Sequence, residues 1–194
     1  GFLLPIGGSV LLYFLNSKVG SHKEVEQKAN IPLLGDVSFL KNSSTPMPVL
    51  AGRSMVAEQF RTIRTAIGYT GKGKGVKTIL VTSQKSGEGK SFTSLNLAAS
   101  YALLNKQVVL LEFDLRKPRI GRNLGLSDPK GISTYLSQDT AIDDLLIPVP
   151  GITKNNLFVM LAGVIPPNPA ELISGDNMRK LITELEARFD YIII

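Results

Sequence analysis

The sequence of 194 residues contains no cysteine, and His22 is its only histidine. Without cysteine the chain can form no disulfide framework, thiolate zinc site, cysteine-ligated iron–sulfur cluster or cysteine nucleophile. A Ser-His-Asp triad would have to use His22, which lies in a charged stretch with no nucleophile motif beside it. Carboxylates, hydroxyls, lysines and arginines therefore remain as the groups for any catalytic chemistry.

Acidic side chains are the minority charge, because 16 Asp and Glu residues stand against 22 Lys and Arg residues and give a net charge of +6. This excess favours acidic partners, namely nucleotides, nucleic acid or an anionic membrane surface, without choosing among them. Hydrophobic residues make up 43% of the chain and charged residues 20%, so the chain can bury a core. Its length fits one ordinary domain with appendages.

Residues 1–15, GFLLPIGGSVLLYFL, carry no charged side chain. A helix needs about 20 apolar residues to span a bilayer, so residues 1–16 are predicted to be the end of a transmembrane helix, with an exposed or core helix as the alternative. Lys18, Lys23 and Lys28 follow, and basic residues beside a spanning helix mark its cytoplasmic side. We therefore expect a juxtamembrane segment and linker over 17–49 and a cytoplasmic domain over 50–194.

Five local patterns precede the main part of this domain. They predict a helix over Ser21–Ala29 with Ser21 as N-cap, a short strand over Ile31–Gly35, a linker over Lys41–Pro48, a helix over Ser54–Tyr69, and a flexible basic turn over Gly71–Gly75.

From Lys77 onwards, short apolar runs alternate with helical patterns. The predicted strands are Thr78–Thr82, Val108–Phe113, Leu157–Leu161 and Tyr191–Ile194, all apolar runs suited to strands with both faces buried. The predicted helices are Lys90–Leu104, Ile132–Leu136, Ile142–Leu146, Ala170–Ile173 and Met178–Arg188. This alternation is typical of the α/β class and predicts a doubly wound, mostly parallel sheet flanked by helices.

The segment 83–91, SQKSGEGKS, lies between the first predicted strand and its helix. A nucleoside triphosphate needs several backbone N–H donors around its oxygens, and Gly87 and Gly89 permit that close approach. Lys90 is placed to reach the β and γ phosphates, Ser91 to bind Mg²⁺, and the helix start to attract the anion. Chance occurrence in a basic turn is the alternative, and the position between strand and helix argues against it.

Two carboxylates end the second predicted strand, in the segment VVLLEFDLRKP. Glu112 and Asp114 are two positions apart, so on a strand both point to the same face, at the carboxyl end where α/β sheets bind ligands. One carboxylate can hold Mg²⁺ while the other accepts a proton, and Arg116 and Lys117 add positive charge. A solvated strand end with ordinary charges is the alternative.

At these motifs the chain resembles the bacterial tyrosine kinases of capsule and exopolysaccharide export, a deviant-Walker P-loop family related to septum-site and partition ATPases. SQKSGEGKS resembles the family's Walker A motif, with Gln84 at the first glycine position of the standard motif and Lys85 as the extra lysine. LLEFDLRKP resembles Walker A′, with Glu112 in place of the first aspartate. Further matches are G-x-x-P-P-N-P-x-E-L over 163–172, in which Asn168 is expected to cap the following helix, and Gly131-Ile132-Ser133 with Tyr135-Leu136.

The resemblance implies that the chain binds ATP and Mg²⁺. The nucleotide-binding residues that it implies are Lys85, Ser86, Gly87, Glu88, Gly89, Lys90, Ser91 and Phe92. The implied catalytic residues are Lys90, Glu112, Asp114 and Arg116, with Glu112 as the candidate base, and the implied metal ligands are Ser91 and Asp114. Lys85 is either a residue that reaches the nucleotide of a neighbouring subunit or a solvated loop lysine.

Glu58, Arg61 and Arg64 match the family's oligomerisation motif E-x-x-R-x-x-R. The resemblance implies that they lie between subunits of a ring-like homo-oligomer. The alternative is a ladder of ion pairs within one helix, worth about 0.2–0.5 kcal/mol per pair.

The function implied by the resemblance is that of an ATP-dependent protein-tyrosine autokinase. It would phosphorylate tyrosines between subunits and regulate polysaccharide chain length and export at the bacterial inner membrane, with the export and polymerisation machinery as partner and without nucleic acid. Because Phe189–Ile194 resembles the strand before the Walker B aspartate, the domain is expected to be cut before that aspartate, and this chain to be weakly active or inactive. The alternatives are a non-catalytic ATP-dependent oligomerisation switch and a partition-type ATPase that binds DNA.

Overall fold

The computed structural model describes residues 22–41, 45–70, 77–138, 140–152 and 154–194. The chain forms two compact units, Gly1–Leu34 and Gly35–Ile194. Three predictions lie outside the described residues: the membrane-helix end over 1–16, Ser21 as N-cap and the turn over 71–75. Among the described helices, none combines the length and the apolar character that crossing a bilayer requires.

The described part of the first unit contains one helix, α1, His22–Ala29. Its exposed Lys28 donates to Glu24 over 2.7 Å, one helical turn away. The predicted strand over Ile31–Gly35 is wrong, because these residues have no strand structure. Pro32 has no N–H to contribute to a ladder, and the apolar Ile31 side chain is exposed.

The second unit is built on a sheet whose described strands have the order β1-β5-β2-β4-β3. The first four in this order run parallel, and β3 pairs with β4 antiparallel. The strands are β1 Thr78–Ile79, β2 Val108–Leu111, β3 Ile147–Pro148, β4 Leu157–Met160 and β5 Tyr191–Ile193. The predicted mostly parallel sheet is therefore confirmed.

Helices cover both faces of this sheet. They are α2 Met55–Thr70, α3 Lys90–Ala102, α4 Ile120–Leu124, α5 Ile132–Ser137, α6 Pro169–Ser174 and α7 Asp176–Arg188, with 3₁₀ helices at Pro48–Ala51 and Ile142–Asp144. On one face, α5 and α7 pack on alternate strand residues such as Val109 and Ile192. On the other face α3 packs against β2, and α2 packs against α3. All four residues of β2 are buried, as expected for a strand covered twice.

Two further predictions need correction, and two elements were missed. The strand at Thr78 is two residues long rather than five, and it is only half-buried because it lies at the edge of the described sheet; Leu80 just after it is 68% exposed. The segment at Ile142 forms a 3₁₀ helix instead of an α-helix. The elements β3 and α4 were not predicted, since each is too short to produce a periodic pattern.

Candidate nucleotide-binding site

The segment between β1 and α3 forms a loop that ends on a left-handed glycine. Gly87 has φ +92° and Gly89, the N-cap of α3, has φ +94°. A Cβ atom on either glycine would meet no other atom within 4 Å, so backbone conformation rather than space requires glycine here. The turn brings the loop to the amino-terminal end of the 13-residue helix α3, whose unpaired N–H groups attract anions.

Polar groups of the loop hold one another. The Lys90 ammonium donates to the Ser83 hydroxyl over 3.0 Å, and this hydroxyl donates to the Lys85 carbonyl over 2.9 Å. The backbone N–H of Lys85 donates to Glu88 Oε2 over 3.0 Å. This backbone hydrogen bond is the main reason that the pKa of Glu88 is lowered from its ordinary value. The loop thus already stabilises one anion, its own Glu88 carboxylate.

A cavity of about 210 Å³ opens where α3 begins and where β2 and β5 end. It brings together four of the predicted site residues, Lys90, Ser91, Glu112 and Asp114. Both residues at the end of β2 therefore line the cavity beside the phosphate loop. Ile194, after β5, completes the wall beside them.

A larger cavity, of about 730 Å³, is lined by four other predicted residues, Gly87, Glu88, Gly89 and Phe92. Its remaining wall includes the segment 37–40 before the 3₁₀ helix Pro48–Ala51. The predicted nucleotide-binding residues are thus divided between two cavities. Lys85, Ser86 and Arg116 are exposed and line neither of them.

Glu112 and Asp114 occupy different surroundings. Asp114 is exposed, and its Oδ1 accepts the N–H of Lys117 over 3.0 Å, which closes a turn. Glu112 is only 3% exposed. Its Oε1 accepts the N–H of Ile120 over 2.5 Å, and its Oε2 accepts the N–H of Ala162 over 3.4 Å. Both oxygens of the candidate base therefore bind backbone amides.

Behind Glu112, two backbone segments touch without side chains between them. A Cβ atom on Gly131 would lie 2.2 Å from the Leu161 carbonyl oxygen, so only glycine fits. The N–H groups of Ile132 and Ser133 donate to the carbonyls of Leu161 and Ala162 over 2.8 and 3.0 Å. The sequence singled out the Gly131-Ile132-Ser133 motif, but no local pattern showed that it meets the end of β4.

The predicted oligomerisation residues lie on α2 and all have partners within the chain. Glu58 and Arg61 form an ion pair, and Arg61 also donates to the Gly52 carbonyl over 2.6 Å. Arg64 donates over 2.5 Å to the carbonyl of Ser100 in the last turn of α3. Partial burial lowers the pKa of its guanidinium from the ordinary value. The role of these three residues between subunits stays a prediction.

Asn168 occupies the N-cap of α6, but its side chain makes no capping hydrogen bond to the helix. It donates instead to Glu171 Oε2, over 2.5 Å. Pro169 follows at the first helical position, where its missing N–H costs nothing. The predicted position of the cap is thus right, and the predicted hydrogen bond is wrong.

The parallel sheet, the loop and the cavity at the start of α3 define a nucleotide-binding domain of the phosphate-loop class. Residues 79–188 match the family model "CobQ/CobB/MinD/ParA nucleotide binding domain". Among curated relatives, the putative tyrosine-protein kinase CapB of Staphylococcus aureus is 32% identical over 79% of this chain and 68% of its own length. The tyrosine-protein kinase YwqD of Bacillus subtilis is 37% identical over 73% of this chain and 58% of its own length.

Two solved structures have the same fold as this chain. The chimerical protein CapA2B2 superposes with a TM-score of 0.81 at 29% identity, covering 90% of this chain and 74% of that one. The BceF tyrosine kinase domain gives a TM-score of 0.77 at 27% identity, covering 91% and 75%. The chain belongs to the bacterial tyrosine-protein kinases of the CobQ/CobB/MinD/ParA nucleotide-binding family. It spans 58% of YwqD and 68% of CapB.

Proposed function

We propose that the chain is the nucleotide-binding part of an ATP-dependent protein-tyrosine autokinase that regulates polysaccharide chain length and export. The observation that carries this proposal is the cavity at the start of α3, in which Lys90, Ser91, Glu112 and Asp114 meet. Similarity to proteins named tyrosine-protein kinases supports tyrosine as the phosphate acceptor.

The phosphates of ATP would bind at the loop. Lys90 would exchange its hydrogen bond with the Ser83 hydroxyl for phosphate oxygens, and the N–H groups at the start of α3 would donate to the same anion. The N–H of Lys85, now bound by Glu88, is a further donor once that carboxylate moves away. These groups stabilise charge that spreads over the transferring phosphoryl group.

The oxygen donors beside Lys90 fit Mg²⁺, which prefers a few hard oxygen ligands and retains water. The Ser91 hydroxyl and the Asp114 carboxylate would hold it, and Asp114 Oδ2 does not take part in the turn that Oδ1 closes. When bound, the ion would neutralise charge on the β and γ phosphates. Arg116 and Lys117, exposed just beyond Asp114, would add positive charge.

The acceptor would be a tyrosine hydroxyl supplied by another copy of the chain. Glu112 is the candidate base, and both of its side-chain oxygens accept hydrogen bonds from backbone amides. Positioning of donor and acceptor would carry most of the rate increase. Self-association through Glu58, Arg61 and Arg64 would bring the copies together. The protein would act at the inner membrane, with the polysaccharide export and polymerisation machinery as its partner.

Radiolabelled ATP tests this function. The full-length protein should incorporate phosphate on tyrosine, and Lys90→Met should abolish incorporation, because the ammonium is lost at similar side-chain volume. Lys154→Met, on the exposed turn before β4, is the matched control and should leave incorporation unchanged. A wild-type protein that binds ATP but forms no phosphotyrosine would contradict the proposed kinase function.

A non-catalytic, ATP-dependent oligomerisation switch is the second candidate. The burial of Glu112 and the use of both its oxygens by backbone amides favour it, because a base must receive a proton. In that case ATP would change the size of the oligomer in light scattering, while mass spectrometry detects no phosphotyrosine.

A further inference from the structure

Glu112 lies between two cavities. It lines the cavity of about 210 Å³ that contains Lys90 and Ser91. It also lines a cavity of about 430 Å³ between α4 and the end of β4, whose walls include Gly121 and Ala162. Glu112 therefore lies in the wall between these two cavities, behind the proposed phosphoryl-transfer site, rather than in an open pocket.

The hydrogen bonds of Glu112 join three segments that are distant in sequence. Its backbone N–H donates to the Met160 carbonyl over 3.0 Å and extends the ladder between β2 and β4. Its side chain accepts the first N–H of α4 at Ile120 and the N–H of Ala162 after β4. Because Glu112 and Ile120 are the two ends of the loop that contains Asp114, the Ile120 bond closes that loop.

Side-chain length matters for these contacts. An aspartate side chain is shorter than glutamate by one carbon–carbon bond of about 1.5 Å. The bond to Ala162 already measures 3.4 Å, so a carboxylate drawn back by that amount could not keep both amides. The glutamate of this chain thus makes a double contact that an aspartate on the same backbone cannot make.

We propose that Glu112 is a positioning residue, which fixes the loop over 113–119 and thereby places Asp114 opposite Lys90 and Ser91. This inference rests on the proposed function and reassigns the role of one residue within it. A proton acceptor must present a lone pair to the reacting hydroxyl. The Glu112 oxygens face backbone donors instead, and removing the carboxylate would leave two buried N–H groups unpaired.

Three variants of the full-length protein test the inference, with hydrogen exchange, Mg·ATP affinity and kinase kinetics measured for each. In Glu112→Gln one carboxylate oxygen becomes an NH₂ group, which cannot accept a hydrogen bond, while the other remains an acceptor. The amide of Ile120 or of Ala162 that loses its acceptor should therefore exchange at least about tenfold faster. Mg·ATP should bind about tenfold more weakly and KM for ATP should rise in parallel, since displaced groups lose their alignment.

Glu112→Asp keeps the charge and should fold, yet it should not restore protection of the Ala162 amide or the affinity for Mg·ATP. Asp114→Asn is the contrast, because it should weaken Mg²⁺-dependent ATP binding while both amides keep their protection. Glu184→Gln, on the exposed face of α7, controls for the change in net charge.

Unchanged exchange at both amides in Glu112→Gln and Glu112→Asp would overturn the inference. So would faster exchange with unchanged Mg·ATP affinity, or a loss confined to kcat with full rescue by aspartate, which is the behaviour of a base. If the wild-type protein forms no phosphotyrosine, the proposed kinase function fails, while exchange and affinity still decide whether Glu112 positions the loop.

Discussion

Tyr101 is a buried phenol in an aromatic pair. It lies on α3, is 3% exposed, and stacks on Tyr191 with ring centroids 3.8 Å apart. Burial, together with the neighbouring Tyr191, raises the pKa of Tyr101 to about 12, and nearby Arg64 opposes this shift. The folded chain therefore binds the phenolic proton more tightly than the unfolded chain does.

This residue makes stability depend on alkaline pH. The folded-state pKa exceeds the ordinary value of 10.0, so the contribution of Tyr101 is complete below about pH 10 and is lost as pH rises through about 12. Two pKa units correspond to about 2.7 kcal/mol, and solvent screening reduces the expected loss to about 1 kcal/mol. Urea unfolding of wild type and Tyr101→Phe from pH 9.5 to 12 measures it, and curves that stay parallel would contradict the prediction.

At the scale of elements, the contact between the start of α5 and the end of β4 depends on Gly131. Its φ of 175° is extended and unstrained, so the requirement for glycine comes from the Leu161 carbonyl alone. Ala162, which follows Leu161, donates its N–H to Glu112. The contact at Gly131 therefore also supports the wall between the two cavities behind the phosphate site.

Gly131→Ala should therefore destabilise the fold by about 3 kcal/mol, since the methyl group would overlap a backbone oxygen that has no rotamer to escape. Gly68→Ala is the matched control. Gly68 is exposed near the end of α2 and a Cβ there meets nothing within 4 Å, so alanine should stabilise the helix by about 0.5 kcal/mol. Equal midpoints in urea for the two variants would refute the close approach.

At the scale of the whole molecule, we expect two residues of the motif on α2, Glu58 and Arg64, to differ in their effect on folding stability. Glu58 is exposed, whereas Arg64 spans from α2 to the last turn of α3. Glu58→Ala should reduce the oligomer size of the full-length protein in light scattering with an unchanged melting temperature. Arg64→Ala should also lower the free energy of unfolding by about 1–2 kcal/mol, because the Ser100 carbonyl at the end of α3 loses its hydrogen bond from a charged donor. Equal melting temperatures for both variants would show that Arg64 does not hold α3.

Local patterns in the sequence predicted β2, β4, β5 and the helix α3, because a strand or helix covered by the core leaves an apolar run. They predicted a strand at Thr78 and a helix at Ile142, but they gave the wrong length and burial for β1 and the wrong helix type at Ile142, because both depend on neighbours distant in the chain. The site divides in the same way. The left-handed loop at Gly87 and Gly89 and the helix start at Lys90 follow from a local sequence pattern, whereas the partners of Glu112 lie 8 and 50 positions away and only the fold brings them together.

The position of β5 between β1 and β2 has a consequence for the order of folding. Ile192 pairs with Thr78 and with Val109, so β1 and β2 do not pair with each other and are joined only when a strand more than one hundred residues after β1 inserts between them. A ribosome-bound chain that stops before residue 191 can form the β2–β4 pair but not the β1 edge. Such long-range pairing slows folding, and a phosphate loop attached to β1 would be among the last parts of the domain to acquire its shape.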